Sequence, residues 1–240
     1  MAETIRDQIF SNFQAKLQTM RTANGYNLEL GDEVYFAFLP PVDFEILPAI
    51  GFLPTIEEAT NLHGYHQKFD MQVQVQAVAK VGTIKAGTMA EMIYADIIEA
   101  VSGNVWTLGF DSGGPFKATI GATITGADSG ATGYICGVSL DSGAWADEDA
   151  AGALELRRVE GEFNDDEKID IESNDDVATV DGVQSAQGAL ETTTGNLADA
   201  IDILSARPQY PNAEQQSAGV EVVFSINYKR VTGNPYSQTN

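Results

Sequence analysis

Two stretches of strict alternation organise the chain. In "FDMQVQVQAVA", Phe69, Met71, Val73, Val75 and Ala77 alternate with Asp70, Gln72, Gln74 and Gln76. In "GVEVVFSINYKR", Val220, Val222, Phe224, Ile226 and Tyr228 alternate with Glu221, Ser225, Asn227 and Lys229. Successive strand residues point to opposite faces, so each stretch predicts a strand with one buried and one wet side. Two other stretches repeat every three or four residues. Ile5, Ile9, Phe13, Leu17 and Met20 predict a helix over residues 3–21, with Thr4 and Asp7 at capping spacing. Met89, Met92, Ile93, Ile97 and Val101 predict a second helix over about 88–101, with Thr88 and Glu91 fitting a capping box. "EVYFAFLPP" reads as a short strand ended by Pro40 and Pro41, and "FEILPAIGFLP" as an extended segment broken by Pro48 and Pro54. The two alternating strands are expected to share one antiparallel sheet, with the helices on its apolar face.

Between the strands the pattern changes. From about 107 to 190 the chain is rich in Gly, Ala, Ser, Thr and Asp. Short strand candidates, "FKATIGATIT", "ATGYICGVSL", "GALELRRV" and "KIDIES", are separated by turn signals about every ten residues. Acids concentrate there, including Asp147, Glu148, Asp149, Asp165, Asp166, Glu167, Asp175 and Asp176. The expected fold class is therefore α+β: a mostly antiparallel sheet with two flanking helices, interrupted by an inserted small all-β domain. Residues 1–106 and 191–240 are assigned to the core, and 107–190 to the insertion with its flanking linkers, 183–195 being the exit.

The formal charge of −22 predicts a surface that repels nucleic acid and anionic membranes. No stretch approaches the roughly 20 apolar residues of a membrane span, and "MAETIRDQIF" has no signal-peptide character. The lone Cys136 excludes an intrachain disulfide, and a soluble protein made in a reducing cytoplasm is expected. "GFDSGGPF", residues 109–116, looks like the nucleophile string of trypsin-like proteases. A serine nucleophile needs a histidine and a carboxylate, yet the two histidines, His63 and His66, lack the family's context and stand only about fifty residues before Ser112. The string reads instead as a turn leading into the insertion, and Asp141, Ser142 and Gly143 repeat part of it. His63 and His66, three apart beside a strand, do not share a face, and no cysteine cluster completes a zinc site. They read as solvated loop histidines. The acidic runs "WADEDA", "FNDDEK" and "SNDDVA" lack the spacing of a calcium loop and read as solvated loops. Cys136 reads as a small buried strand residue, and Trp106 and Trp145 as local core anchors. No catalytic residue, metal site or cofactor is expected, so the chain is read as a non-enzyme.

The start "IRDQIFSNFQAKLQTMRTANGYNLELGDEVYF", the helix "MAEMIYADIIEAV" and the ending "VEVVFSINYKRVTGNPYSQ" resemble the tail terminator (tail completion) proteins of long-tailed bacteriophages. That family ends its first helix near an Arg-Thr-Ala-Asn-Gly-Tyr-like turn. It closes on a Tyr-Arg-Thr-like triplet and a Gly-Asp-Pro-like tail, which here read Tyr228, Lys229, Arg230 and Gly233, Asn234, Pro235. The resemblance covers roughly residues 1–105 and 190–236, while the middle is similar to a glycine-rich β module of phage structural proteins. It implies a virion protein, assembled in the host bacterial cytoplasm, that forms a ring, hexameric in the family. The ring sits at the head-proximal end of the tail tube, stops its growth and meets the head connector or neck protein. Its partners would be further copies of itself, the tail tube protein and that connector. DNA would pass an acidic lumen without specific binding, and the insertion would project outward. Strands 69–79 and 219–229 are the candidate ring contacts, through Gln72, Gln74, Gln76, Glu221, Ser225, Asn227, Lys229 and Arg230. The alternatives are another phage neck, tube or baseplate component, a β module binding host-surface glycan or calcium, and a hydrolase using Ser112.

Overall fold

The computed structural model describes residues 3–37, 46–63, 66–188, 193–209, 216–231 and 234–236. The chain divides into two compact units, one of Met1–Arg21, Tyr26–Ser102 and Ala189–Asn240, the other of Thr22–Gly25 and Gly103–Gly188.

In the first unit the helical stripes form α1 (Ile5–Gln18) and α2 (Ala86–Ser102). Thr4 caps α1 as its spacing predicts: its Oγ1 accepts from the Asp7 N–H at 3.1 Å, and the Asp7 carboxylate accepts from the Thr4 N–H. The second capping box is not used. Met89 N–H already donates to the Lys85 carbonyl, so α2 starts two residues before Thr88. The strands are β1 (Val34–Phe36), β2 (Ala49–His63), β3 (His66–Lys80), β11 (Ala198–Gln209) and β12 (Ser217–Val231), in the order β1-β2-β3-β12-β11. β1 runs parallel to β2 and the other pairs are antiparallel. This is the expected α+β class, a mostly antiparallel sheet with two helices.

The two alternating stretches are direct neighbours in register, with Phe69 opposite Tyr228, Val73 opposite Phe224 and Ala77 opposite Val220. Their alternating apolar residues, Phe69 to Ala77 and Val220 to Tyr228, are buried, and α1 and α2 pack on that face. The Phe13 ring lies 5.4 Å from Phe52 and 6.1 Å from Phe224. α2 also carries a fully buried carboxylate, Asp96. It accepts from Asn27 N (3.0 Å), Asn27 Nδ2 (2.7 Å) and Leu28 N (2.9 Å), fixing the chain between α1 and β1. Burial raises its carboxyl above the usual range, although these three donors pull it down.

Three expectations for this unit change. Pro54 does not break the extended segment: it sits at a bulge of β2, past the last residue that β1 pairs, where a missing N–H is tolerated. Within the expected exit linker, Thr193 and Thr194 are fully buried; Thr193 Oγ1 donates to Val101 O at 2.9 Å, and Asn12 Nδ2 to Thr194 O at 3.1 Å. His63 and His66 end β2 and β3 and pair with each other by backbone. Their side chains, and the positions of Pro40, Pro41 and Gly233, lie outside the described residues.

The second unit holds β4 (Val105–Gly113), β5 (Thr123–Gly126), β6 (Thr132–Ser142), β7 (Ala150–Glu160), β8 (Lys168–Ile171), β9 (Asn174–Val180) and β10 (Ser185–Gln187). Their order is β10-β4-β7-β6-β5-β8-β9, and β9 pairs back to β4, so six strands close on themselves. Closure removes the free edges that short strands would otherwise expose. The enclosed core includes Leu108, Ile124, Ile135, Leu154, Leu156, Phe163 and Ile169, with Phe110 stacked on Trp145 at 5.1 Å. Trp106 packs against the same cluster. Cys136 is half-buried on β6, its Sγ 3.3 Å from the Glu155 carbonyl.

The string "GFDSGGPF" is mostly strand rather than a turn. β4 runs through Gly113 with a bulge between Phe110 and Gly113, and Ser112 sits in it at φ +50°, exposed. Here β4 stays paired with β7 through Gly113 and gains β9 as a second partner: Asp111 pairs Thr179, and Gly114 N–H donates to Val177 O at 2.6 Å. The glycines answer to close approach. A Cβ on Gly109 would stand 2.4 Å from the Asp181 carbonyl oxygen, and one on Gly113 would stand 2.8 Å from Ala150 Cβ and the Trp145 ring. Gly109→Ala is therefore expected to destabilise this unit by about 2 kcal/mol, the range of forced overpacking. Both tryptophans lie in this unit, so their fluorescence melt measures it; an unchanged melt contradicts the steric account.

Among the acids expected to be solvated, Glu167 is buried. It accepts from Asp128 N (3.1 Å), Ser129 N (2.9 Å), Ser129 Oγ (2.8 Å) and Asn164 N (2.6 Å), tying the β5–β6 turn to the chain before β8. Burial alone raises its carboxyl, but the Ser129, Asn164 and Asp128 donors outweigh it and hold it below the usual range. A folded value below the unfolded one adds stability that is present above the ordinary 4.5 and lost as pH falls through the folded value. Glu167→Gln should lower the tryptophan melt at pH 7 and flatten its decline in that acid window. Parallel acid profiles for variant and wild type contradict this.

Candidate subunit interface

The side chains expected to face partners fall on both sides of the five-stranded sheet. Gln72, Gln74, Gln76, Glu221, Ser225, Asn227 and Lys229 share the face opposite the helices, because each alternates with a buried apolar residue. Across the β3–β12 ladder Gln76 faces Glu221, Gln74 faces Val223 and Gln72 faces Ser225. Arg230 falls on the other side. Its guanidinium lies 4.0 Å over the Phe69 ring, on the helix face, while Lys229 pairs with Asp199 at 3.0 Å.

The polar face is held by its own hydrogen bonds. Ser225, 4% exposed, donates through Oγ to Asp70 Oδ1 at 2.6 Å, and Gln76 Nε2 donates to Gln209 Oε1 at 2.7 Å. These bonds link β3, β12 and β11. The Gln and Asn side chains remain half-buried, so this face keeps unused amide capacity towards solvent.

Edge pairing through 69–79 and 219–229 does not fit the sheet order. β3 and β12 are inner strands, each hydrogen-bonded on both sides. The free backbone lies elsewhere. Among the described residues β11 is an edge of twelve residues, about 40 Å long at ~3.3 Å per residue. At the opposite side β1 covers only Ile50, Gly51 and Phe52, so β2 from Leu53 onward has no outer partner among the described residues. Both edges carry exposed apolar side chains: Ile203 (41%) and Leu204 (50%) on β11, Ile56 (48%) on β2. β11 has no clear strand pattern in the sequence because bulges at Ala198/Ala200 and Ile203/Ser205 break its period of two. The short run Ile201, Asp202, Ile203 was the surviving signal.

Among the described residues no group of three or more His, Cys, Asp or Glu is placed to hold a metal ion, and no helix is long and apolar enough to cross a membrane. Compared with known proteins, the chain matches no family model and no curated sequence.

Proposed function

We propose that the chain is a structural subunit of a long-tailed phage virion, a tail terminator. It closes a ring, hexameric by analogy with the family it resembles, at the head-proximal end of the tail tube, ends tube growth and meets the head connector. The single observation that carries this reading is a sheet that, among the described residues, has two different open edges, β11 and the outer part of β2. Unprotected edges invite strand pairing with another chain. Two unlike edges on one subunit make a heterologous contact, which closes a ring when the rotation fits. The polar face with Gln72, Gln74, Gln76, Glu221, Ser225, Asn227 and Lys229 supplies side-chain contacts beside that seam. We take the second unit as an inserted small all-β domain, within a core spanning 1–106 and 191–240. The charge of −22 lets DNA pass the lumen without adhering. No catalytic step is assigned to the chain.

A second reading is favoured by the same two edges: a contact that does not close builds an open tube, as a tail tube protein does. Electron microscopy of virions labelled with an antibody against this chain separates the two. Label confined to the head–tail joint is the expected result. Label along the whole tail supports the tube reading, and label at the far tip supports a baseplate component; either overturns the terminator assignment.

A further inference from the structure

Within the first unit, the start of α1, β2, β3, β12 and Pro235 line an open cavity of about 540 Å³. Thr4, Arg6, Asp7, Glu57, Tyr228 and Arg230 bring the polar groups, and Phe69 the aromatic wall. The lining is formally neutral, two arginines against two acids, but the two sides are not equally engaged. Asp7 is used by the α1 capping box, accepting from the Thr4 N–H and hydroxyl. Glu57 is used on both oxygens: Oε1 accepts from the Tyr228 hydroxyl, and Oε2 pairs with Arg6 at 3.1 Å. That leaves donors in excess. Arg6 Nε is buried with no hydrogen-bond partner among the described residues. Arg230 has one face on the Phe69 ring at 4.0 Å and, among the described residues, no carboxylate in ion-pair contact. Phe69 in turn stacks on Tyr228 at 5.3 Å, so the guanidinium sits over a stacked pair of rings. The positive end of the α1 dipole lies on the same cavity.

We propose that this cavity is a binding site for a carboxylate ligand, with Arg230 and Arg6 as its donors. Arginine presents its N–H groups in a planar fork that matches a carboxylate, and stacking on an aromatic ring leaves that fork free. The volume suits a small organic acid or an acidic side chain, well beyond a bare ion. The site lies on the helix side of the sheet, away from the polar face, and does not depend on the ring.

The test is calorimetric titration of the full chain at low salt with succinate, with the peptide acetyl-Asp-Glu-Asp-amide and with inorganic phosphate. Binding of succinate and peptide alike supports a site for any small carboxylate, and binding of the peptide alone supports a protein segment as the source. Phosphate as the only binder, or no binding by any probe, overturns the proposal. Arg230→Gln should weaken carboxylate binding roughly tenfold or more, as the loss of a charge-assisted pair implies; equal affinity overturns it. If that variant does not fold, the Nε–Hε resonances of Arg6 and Arg230 in the wild-type protein give the answer. They must shift on titration with the bound carboxylate, and unmoved resonances overturn the site.

Discussion

Replacing Leu204 with lysine is expected to turn the proposed rings into monomers while leaving the fold intact. Leu204 stands at the bulge of β11, half exposed, on the edge strand that has no outer partner among the described residues. A lysine there meets water in the monomer at little cost, since the side chain is already exposed. In a strand-to-strand seam it brings an unpaired charge to an apolar anchor, the device by which natural edges resist pairing. An apolar anchor of this kind is worth about 2 kcal/mol at each contact, roughly thirtyfold in association, and every seam of the ring carries it. Sedimentation velocity should show the shift to monomer, with the far-ultraviolet circular dichroism unchanged. A Leu204→Lys protein that still sediments as the wild type would remove β11 from the interface.

The second large effect is on stability. Asp96→Ala should destabilise the first unit by about 3 kcal/mol. The carboxylate is fully buried and receives two backbone N–H groups and one side-chain amide. Alanine leaves all three donors without their acceptor, and an orphaned buried donor costs ~1–3 kcal/mol, more than the bond itself contributes. Asp96→Asn should not restore stability, because an amide puts N–H donors where one of the two oxygens accepted. The two units have separate cores and separate reporters. α1 and α2 lie in the first unit, and both tryptophans in the second. Loss of helical dichroism should therefore come at lower denaturant in the variant, with the tryptophan transition unmoved. A helix transition that stays in place contradicts the anchoring role.

Asp96 also marks the limit of what the sequence made legible. Its helix was readable from Met89, Ile93 and Ile97, but an acid on the stripe side of a helix gives no sign that it is buried until the chain at Asn27 and Leu28 folds over it. The same holds for Glu167, hidden in the run "FNDDEK" with its neighbours Asp165 and Asp166 exposed. What could be read was periodic and one-sided: β3, β12, α1 and its Thr4–Asp7 cap, because one buried face imposes period two or 3.6. What could not be read was set by distant partners. The glycines of β4 answer to distant partners, Gly109 to Asp181 and Gly113 to Ala150 and Trp145, so the local string reads as a turn although Ser112 sits in a bulge. β11 needed β12, because its bulges erase the alternation. The interface residues were readable as a polar face but not as an edge, since which strands lie inside a sheet depends on pairings that no single segment encodes. Arg230 was grouped with Lys229 by sequence, and the pleat sends it to the opposite side.

The central claim is that opposite open edges of one sheet join copies of this chain into a closed ring. Electron microscopy of the purified protein, imaged at high concentration without other tail components, tests it most directly. The account predicts discrete rings of a single diameter. Single subunits at every concentration, or tubes that lengthen without limit, would contradict it.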